Sequence, residues 1–420
     1  MNGGYVVLRM AVVRRSRGRR PDERPFNASL TLKPSSAAFA LVPGSLSNRA
    51  SRAALSILAN LIVASREGQN WVFYSRDRNA YAGQRRYRPS WQTLAAMTQA
   101  VEALEWANVV EHRRTRPSPS AILRSAIRPT RAFELDLGGV PPGDLIETQR
   151  EVIVLRSKSR QLVDYRDSSS VRQLRRDVLE HNEFLAMFEI GIDHIDAQCD
   201  ASNVAIVRGH RLDLQRRQYR RIFNGDFSHG GRWYGPFWQH LPSRIRAGLR
   251  IDRSPVIEID YQGCHPHLMA AWHGIALPVN ADPYERHGYE RRHMKRAFNI
   301  LLNAKSFAQA RRAIANRFIA DWGRDSYHKS VDLIQAVQAQ FPGLERSWLA
   351  GFGGRLQNID ADICARVQRK LRRAGVPCLS VHDSFIVPIL NSQQLRSIMD
   401  DEFNKKQQQL RKVALNTSDN

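Results

Sequence analysis

The sequence has few cysteines and no long apolar run. These two features argue against a disulfide-rich protein and against a membrane-spanning one. Its four cysteines, Cys199, Cys264, Cys364 and Cys378, show no C-x-x-C spacing. We therefore expect a reduced, cytoplasmic protein without a disulfide framework. No apolar run approaches the ~20 residues that span a bilayer. The stretch "YVVLRMAVV" runs into arginine-rich sequence and is too short for a signal peptide, so we expect no membrane partner.

Acidic residues are scarce relative to basic ones, and this imbalance is the most informative feature of the composition. The 420 residues include 64 Lys and Arg against 40 Asp and Glu, which gives a net charge of +24. Such a charge attracts polyanions, of which nucleic acid is the commonest in a cell. Because the basic residues run through the whole chain, we expect nucleic-acid binding by the globular part and not by a tail alone. The length allows two domains, and we expect a monomer.

The first 140 residues divide into an arm and a compact module. Residues 1–50 are predicted to be a basic arm without fixed structure. Within residues 51–140, Ser90 is a candidate N-cap for a helix whose apolar positions recur at helical spacing, Leu94, Met97, Val101 and Leu104. A strand, a basic loop and a second strand follow. This order resembles a winged-helix DNA-binding module; a small helical cap with a basic hairpin is the alternative.

Glycine and proline cluster in "LGGVPPGD", residues 137–144, which is therefore the best candidate for a linker. Beyond it, Ser170 is predicted to open a helix within a helical region at residues 145–220. Residues 406–420 are predicted to be a flexible tail.

Two acidic residues are predicted to lie at the ends of β-strands. In "SPVIEIDYQG" the apolar run is typical of a strand that ends at Asp260, and Gly263 permits a turn after it. In "CLSVHDSFIVP" two short apolar strands flank a tight turn that contains His382 and Asp383. Carboxylates that converge at neighbouring strand ends are suited to bind Mg²⁺ together with substrate phosphates.

Further stretches add basic and polar residues typical of phosphate binding. "ERRHMKRAFNILLNAKSFAQARR" is predicted to be one helix with a polar, basic face opposite Phe298 and Leu302. That face is formed by Arg291, Lys295, Asn299 and Asn303. "NGDFSHGGRWYG" places Arg232 among aromatic residues, after Gly230 and Gly231, which permit close backbone approach. Gln357 is an uncharged amide that is able to pair with a base edge.

The order and types of these residues resemble the polymerase module of family A DNA polymerases and of single-subunit phage and mitochondrial RNA polymerases. The resemblance covers roughly residues 220–405. It rests on the first metal motif, the fingers helix R-x-x-x-K, the Q-x-x-x-A-D stretch, the H-D-S-F form of the second metal motif and the D-x-x-G-R-x-Y stretch. In this chain these are residues 256–268, 291–304, 357–362, 381–388 and 226–234.

The resemblance implies an α+β right-hand polymerase fold, with an antiparallel palm sheet and helical fingers and thumb, after the winged-helix-like module. Residues 221–405 would form the palm, with a fingers insertion at about residues 280–350, and residues 145–220 would be thumb-like. The expected activity is template-directed nucleotidyl transfer, associated with replication, from nucleoside triphosphates on a DNA template.

The resemblance also implies roles for individual residues. Asp260 and Asp383 would bind two Mg²⁺ ions, or Mn²⁺ in their place, with help from the backbone carbonyl of Tyr261. Lys295 would also act as an acid for the departing pyrophosphate. The expected nucleotide-binding residues are Arg291, Lys295, Asn299, Asn303 and His265, and the expected nucleic-acid contacts are Arg232, Gln357 and His382.

The chain departs from the family pattern at the fingers helix and beside the first acid. Asn303 and Ala304 stand where the family has Tyr and Gly, and His265 stands where DNA polymerases carry the Glu that blocks a ribose 2′-hydroxyl. Gln357 favours a DNA product slightly, whereas Ser384 favours RNA, so a single-subunit RNA polymerase or primase-like enzyme is one alternative. A non-catalytic DNA-binding replication initiator is a second, and a zinc site of Cys264, His265, His267 and His382 is a third.

Overall fold

The computed structural model describes residues 23–81, 85–115, 125–147, 151–199, 204–207, 210–278 and 281–418. The chain mixes helices and strands, as predicted, and several separate sheets form. It divides into two compact units. The first takes in Met1–Arg150, Asp200–Val204 and His210–Asp213, and the second takes in Glu151–Cys199, Ala205–Gly209 and Leu214–Asn420. In the described parts of both units, every helix is too short or too polar to cross a bilayer.

The first unit is built from short strands and three α-helices. Its elements, up to residue 147, are β1 (Glu23–Pro25), β2 (Leu30–Leu32), α1 (Asn48–Arg66), β3 (Trp71–Phe73), α2 (Leu94–Trp106), β4 (Val110–Arg113), β5 (Ala126–Pro129), α3 (Arg131–Gly138) and β6 (Leu145–Glu147). Four strands form a sheet in the order β1-β3-β5-β4, and β2 pairs with β6. Helix α1 contributes Ile57, Leu58 and Leu61 to the core of this unit, and all three are fully buried.

The arm predicted over residues 1–50 is wrong from Glu23 onward. Strand β1 runs parallel to β3, and Leu32 of β2 is buried. The side chain of Asn60 also binds the backbone of Asn27, accepting from its N–H at 2.7 Å and donating to its carbonyl at 2.8 Å. Ser/Ala/Pro-rich composition suggested a loose segment, but long-range backbone pairing gives it fixed structure. Residues 1–22 lie outside the described part of the chain.

The helix predicted from Ser90 begins later, at Leu94. Thr93 is its N-cap, and its hydroxyl accepts from the backbone N–H of Ala96 at 3.1 Å. Strands β4 and β5 follow and pair antiparallel, which confirms the predicted order of helix, strand, loop and strand. The part of the predicted basic loop at residues 116–124 lies outside the described residues.

The segment predicted to be a linker, residues 137–144, lies within the first unit and does not connect the two units. It contains the end of α3 and a 3₁₀ turn, Pro142–Asp144. It then leads directly into β6, which pairs with β2 of the same unit. The division of the chain falls between Arg150 and Glu151. Gly and Pro here mark turns inside a unit.

The second unit contains longer helices. The elements not yet given are β7 (Ile153–Arg156), α4 (Ser169–Ala186), β8 (Ile190–Ile192), β9 (Ala197–Cys199), β10 (Val204–Val207), β11 (His210–Asp213), β12 (Arg220–Asn224), β13 (Asp226–Tyr234), α5 (Ser243–Arg246), β14 (Leu249–Ile251), β15 (Ser254–Asp260), α6 (Cys264–Trp272), α7 (Arg291–Asn303), α8 (Phe307–Arg317), α9 (Ile319–Trp322), α10 (Ser326–Gln340), α11 (Gly353–Arg373), β16 (Leu379–Val381), β17 (Ser384–Pro388) and α12 (Ser392–Ser418). Strand β11 is grouped with the first unit.

A five-stranded antiparallel sheet in the order β16-β17-β15-β14-β8 forms the centre of the second unit. A second sheet, in the order β13-β12-β7, packs against helix α11. The hydroxyl of Tyr219 links the two regions, because it accepts from Trp238 Nε1 at 2.9 Å and donates to the carbonyl of Ser380 at 2.9 Å. These buried polar contacts fix strand β16, and therefore the hairpin that carries Asp383.

Two predictions for the second unit are wrong. Residues 145–220 were expected to be a helical, thumb-like region, but strands predominate there and α4 is the one long helix in its described part. Those strands are only three or four residues long, and β7 pairs with the distant β12, so local periodicity does not reveal them. The tail predicted at 406–420 is helical as far as Ser418, because α12 continues and buries Leu410; residues 419–420 lie outside the described part.

The segment predicted as a fingers insertion is helical, since helices α7 to α10 occupy it between β15 and α11. The single helix expected over residues 290–312 is in fact two. Helix α7 ends at Asn303, and α8 begins at Phe307 with Ser306 as its N-cap. The hydroxyl of Ser306 accepts from Gln309 N at 3.2 Å, which favours a new helix start over continuation.

Candidate active site

Asp260 and Asp383 lie at the same end of two adjacent strands. Asp260 is the last residue of β15, where it is paired with Ser384 of β17. Asp383 immediately precedes Ser384, in a two-residue turn that joins β16 to β17. His382 makes this turn possible with a φ of 63°, which is uncommon for a residue other than Gly. The two acids, 123 positions apart in the sequence, therefore converge as the apolar strand patterns predict.

Where the structure describes the chain, these two carboxylates have no basic side chain paired with them. Within the described residues, neither Asp260 nor Asp383 takes part in an ion pair. Desolvation and the charge of Asp383 together raise the pKa of Asp260 to about 6, although Lys295 acts in the opposite direction. A divalent cation bound between the two carboxylates would stabilise the ionised form of Asp260, whose pKa is raised.

A third acid, Glu258, is close to the pair but is already neutralised. It lies two residues before Asp260 on β15, and Arg246 binds it with two hydrogen bonds of 2.8 and 2.7 Å. The hydroxyl of Ser384 donates to the same carboxylate at 2.7 Å. In the described part of the chain, no group of three or more His, Cys, Asp and Glu side chains is arranged to bind a metal. The four residues of the zinc alternative therefore form no such group, whereas two carboxylates are a donor set that suits Mg²⁺ together with substrate oxygens and water.

Tyr261 follows Asp260, but its side chain points to helix α12. Its hydroxyl donates to the carbonyl of Met399 at 2.9 Å, and its ring stacks on Phe403 with centroids 4.8 Å apart. Next, Gly263 adopts a φ of 63°. A Cβ at this position would lie 2.3 Å from Cγ of Pro283. Only glycine fits this turn into α6, which fixes the first turn of the helix beside Asp260.

Helix α7 exposes the predicted basic face and buries its apolar face. Arg291 and Lys295 are exposed, and Phe298 is fully buried. Arg291 forms an ion pair with Asp282, and the charges of Arg291 and Lys295 lie 5.6 and 5.9 Å from the ring centroid of Tyr284. Lys295 forms no ion pair with the described residues and lowers the pKa of Asp260. Lys295 is therefore close enough to Asp260 to affect its ionisation, and no carboxylate among the described residues forms an ion pair with it.

The two asparagines on the same face use their amides within the protein. Asn299 donates to the carbonyl of Lys295 at 3.0 Å, and Asn303 donates to the carbonyl of Asn299 at 2.8 Å. A Cβ on Gly353, the first residue of α11, would lie 2.5 Å from the side-chain oxygen of Asn303. Asn303 therefore packs where α11 begins.

Arg232 and His265 converge on a residue that the sequence analysis missed, Asp360. The carboxylate of Asp360 is almost fully buried, forms an ion pair with Arg232 and is hydrogen-bonded to His265. Arg232 Nε lies 3.2 and 3.0 Å from the two carboxylate oxygens, and His265 Nε2 lies 2.8 Å from Oδ2. The signal was present, since an acid among the apolar residues of "QNIDADICARV" needs a cationic partner.

His382 and Gln357 lie near this cluster. The ring of His382 packs edge-on against Tyr234, with centroids 5.3 Å apart. Its Nδ1 is buried and has no hydrogen-bond partner among the described residues. Burial lowers the pKa of His382, and the charge of Arg232 lowers it further. Gln357 is half-buried on α11, one turn before Asp360.

The glycines before Arg232 do allow close approach, but the approaching groups belong to the protein. Gly230 and Gly231 have φ values of 75° and 81°, and they oppose an irregular part of strand β12. A Cβ would lie 2.7 Å from Asn224 Nδ2 at the first position and 2.5 Å from Phe223 Cε1 at the second. The pair therefore forms a bulge that orients Arg232.

Comparison of the chain with models of known protein families gives no match, and comparison with curated proteins gives none either. The interpretation of this site therefore depends on its own geometry and on the resemblance in the motifs.

Proposed function

We propose that the second unit is a template-directed nucleotidyltransferase that uses two divalent cations. The observation that carries this proposal is the pair of acids at adjacent strand ends, Asp260 and Asp383, which have no ion-pair partner among the described residues and of which Asp260 lies within electrostatic reach of Lys295. Phosphoryl transfer needs positioned charge more than covalent chemistry. Mg²⁺, when bound by these carboxylates, supplies activation of a sugar hydroxyl and stabilisation of the leaving oxygen.

The surroundings of the acid pair support a polymerase arrangement. The antiparallel sheet is the counterpart of a palm, and helices α7 to α10 are the counterpart of fingers. Lys295 binds the triphosphate and donates a proton to the departing pyrophosphate, and Arg291 binds the triphosphate once it exchanges Asp282 for phosphate oxygens. Arg232, Gln357 and His382 contact the primer–template, and the first unit, with its winged-helix-like element order, adds DNA affinity.

We propose a DNA product, since His265 supplies a bulky ring where ribose selection takes place in the related enzymes. An RNA polymerase or primase-like enzyme would use the same acids, so the test must include both sugars. A non-catalytic replication initiator would bind DNA without using the acids. Such an initiator would have no use for two adjacent carboxylates that have no ion-pair partner among the described residues.

The decisive test is extension of a primed DNA template by the purified chain with Mg²⁺ and either dNTPs or NTPs. We expect the wild type to extend the primer and Asp383→Asn to lose at least about a thousandfold in rate, since a metal-binding charge is removed. Asp332→Asn changes an exposed carboxylate on α10 and is the matched control, with an expected rate near that of the wild type.

DNA binding by Asp383→Asn should stay close to that of the wild type and weaken steeply with salt in both, because lysine and arginine contacts to phosphate dominate affinity. Metal-independent binding without any extension by the wild type would favour the initiator. Full activity of Asp383→Asn would reject the proposed role of the acid pair.

A further inference from the structure

Asp360 is a buried acid that the proposed chemistry does not use, and it contacts two residues of the candidate site. Its side chain is 2% exposed, against 15% for Arg232 and 14% for His265. Burial alone would raise the pKa of Asp360, but the hydrogen bond from His265 and the charge of Arg232 outweigh burial and lower it. The carboxylate is therefore ionised and bound on both sides.

The contacts determine the orientation of the imidazole ring. An ionised carboxylate only accepts hydrogen bonds. His265 Nε2 lies 2.8 Å from Asp360 Oδ2 and 3.2 Å from Arg232 Nη2, which can only donate. From the shorter contact, to the carboxylate, we infer that Nε2 carries the proton and donates it to Asp360. The ring of His265 is thus held in one rotamer, with its tautomer set by Asp360 when it is neutral. Removal of the carboxylate would leave the ring without this acceptor.

We propose that Asp360 is a positioning residue for sugar selection, because it fixes the imidazole of His265 beside the acid pair. This inference rests on the proposed function and deepens it, since it names the residue that sets the choice between deoxyribonucleotides and ribonucleotides. Asp360 touches neither the sugar nor the phosphates in this proposal, and it acts only through His265.

The backbone that carries His265 supports the inference. His265 belongs to the first turn of α6, five positions after Asp260. Buried Cys264, between Gly263 and His265, is close enough to Asp383, Asp360 and Asp260 for their charges to raise its pKa. The acid pair and the Asp360 cluster therefore flank the same turn. Because the packing of Gly263 against Pro283 fixes the backbone, the remaining freedom of His265 is in its side chain, which Asp360 removes.

A second ion pair on α11 supplies a matched control. Asp362, two residues after Asp360, accepts from Arg221 Nη2 at 3.3 Å, and Arg221 is 1% exposed. This pair also joins α11 to the β12–β13 sheet, but it includes no histidine. If Asp360 were only a counterion that ties α11 to the sheet, loss of either carboxylate should affect both sugars equally.

The test is kcat/KM for a dNTP and for the matching NTP, with Mg²⁺ and a primed template. The variants are Asp360→Asn, His265→Gly, the double variant and Asp362→Asn. We expect Asp360→Asn to reduce the selectivity ratio between the two sugars about tenfold, the loss of one hydrogen bond to a charged group. The double variant should match His265→Gly, since Asp360 acts through His265, and Asp362→Asn should keep the wild-type ratio.

Each remaining outcome overturns the inference. An equal loss for both sugars in Asp360→Asn, or a further change of the ratio in the double variant, would show that Asp360 does not act through His265. If Asp360→Asn does not fold, Asp360→Glu keeps the ion pair with Arg232 but displaces the carboxylate, and a wild-type ratio in that variant would also overturn it. A wild type that incorporates neither sugar would reject the proposed function itself, with this inference.

Discussion

Four acids belong to the candidate site or contact its residues, and the surroundings of Glu258 and Asp360 differ sharply from those of Asp260 and Asp383. Glu258 and Asp360 are each bound by an arginine and by a second donor, Ser384 and His265 respectively. Asp260 and Asp383 have no ion-pair partner in the described part of the chain, although Arg246, Arg232 and Lys295 are all near enough to affect local pKa values. In a protein with a net charge of +24, this lack of neutralisation is unusual.

The difference indicates which acids stabilise the fold and which are available to a ligand. A buried carboxylate with two donors has its lone pairs satisfied, and its removal leaves a buried arginine without a partner. An acid that is desolvated beside another acid contributes nothing favourable until a cation binds. We therefore expect the paired acids to stabilise the structure around the site, and the proposed chemistry to depend on Asp260 and Asp383.

Among the substitutions that test this difference between the acids, removal of the Lys295 charge should have the largest effect. We expect Lys295→Ala to lower kcat about a hundredfold, since Lys295 both binds the triphosphate and protonates the leaving group. The measurement is single-turnover extension with saturating nucleotide. Arg296→Ala removes a neighbouring exposed charge from another face of α7 and is the control. Equal losses in the two variants would mean that general positive charge, and not Lys295, is required.

Removal of the charge should lower the free energy of unfolding for an acid that is bound by an arginine, such as Glu258, and raise it for Asp260. Glu258→Gln should destabilise the second unit by about 2 kcal/mol, since Arg246 and Ser384 lose a charged acceptor. Asp193→Asn breaks an exposed ion pair with Arg250 and should change stability by less than ~1 kcal/mol. Urea unfolding without divalent cations measures both. Equal effects of the two substitutions would show that the Glu258 pair is no stronger than a surface pair.

Asp260→Asn should instead stabilise the protein near pH 7.5, by at most about 1 kcal/mol, because solvent screens an exposed carboxylate. The pKa of Asp260 is raised from 3.8 to about 6 in the folded chain, so the native state binds the proton more tightly than the unfolded chain does. The stability that protonation contributes is present below pH 3.8 and is lost as the pH rises through about 6.

Asparagine does not ionise, so Asp260→Asn should gain stability over the wild type above pH 6 and gain nothing near pH 4. Mg²⁺ should raise the melting temperature of the wild type by binding the native state, and it should do so less in the variant. A variant that is less stable than the wild type at pH 7.5 would show that Asp260 already has a favourable partner.

Local sequence was sufficient to predict the strands that carry Asp260 and Asp383. It did not predict which residues neutralise Glu258 and Asp360. Apolar runs before Asp260 and on both sides of Asp383 are signals within ten residues, and β15, β16 and β17 follow them. The partner of Asp360 is Arg232, 128 positions away, and no local pattern encodes that distance. The strands of residues 145–220 were missed for the same reason, because β7 has its pairing partner in β12.

The smallest effect should come from an acid whose partner must be exchanged during the reaction. Asp282 binds Arg291 at the exposed start of α7, and the triphosphate has to compete with it. Asp282→Asn should therefore lower the KM for nucleotide about threefold with kcat unchanged, in the range of an exposed ion pair. Arg291→Ala should raise KM. The double variant should behave like Arg291→Ala, because without the arginine there is nothing for which Asp282 and the triphosphate compete. A higher KM in Asp282→Asn would show that Asp282 orients Arg291 towards the nucleotide, and the distinction between paired and available charges would then not extend to the fingers helix.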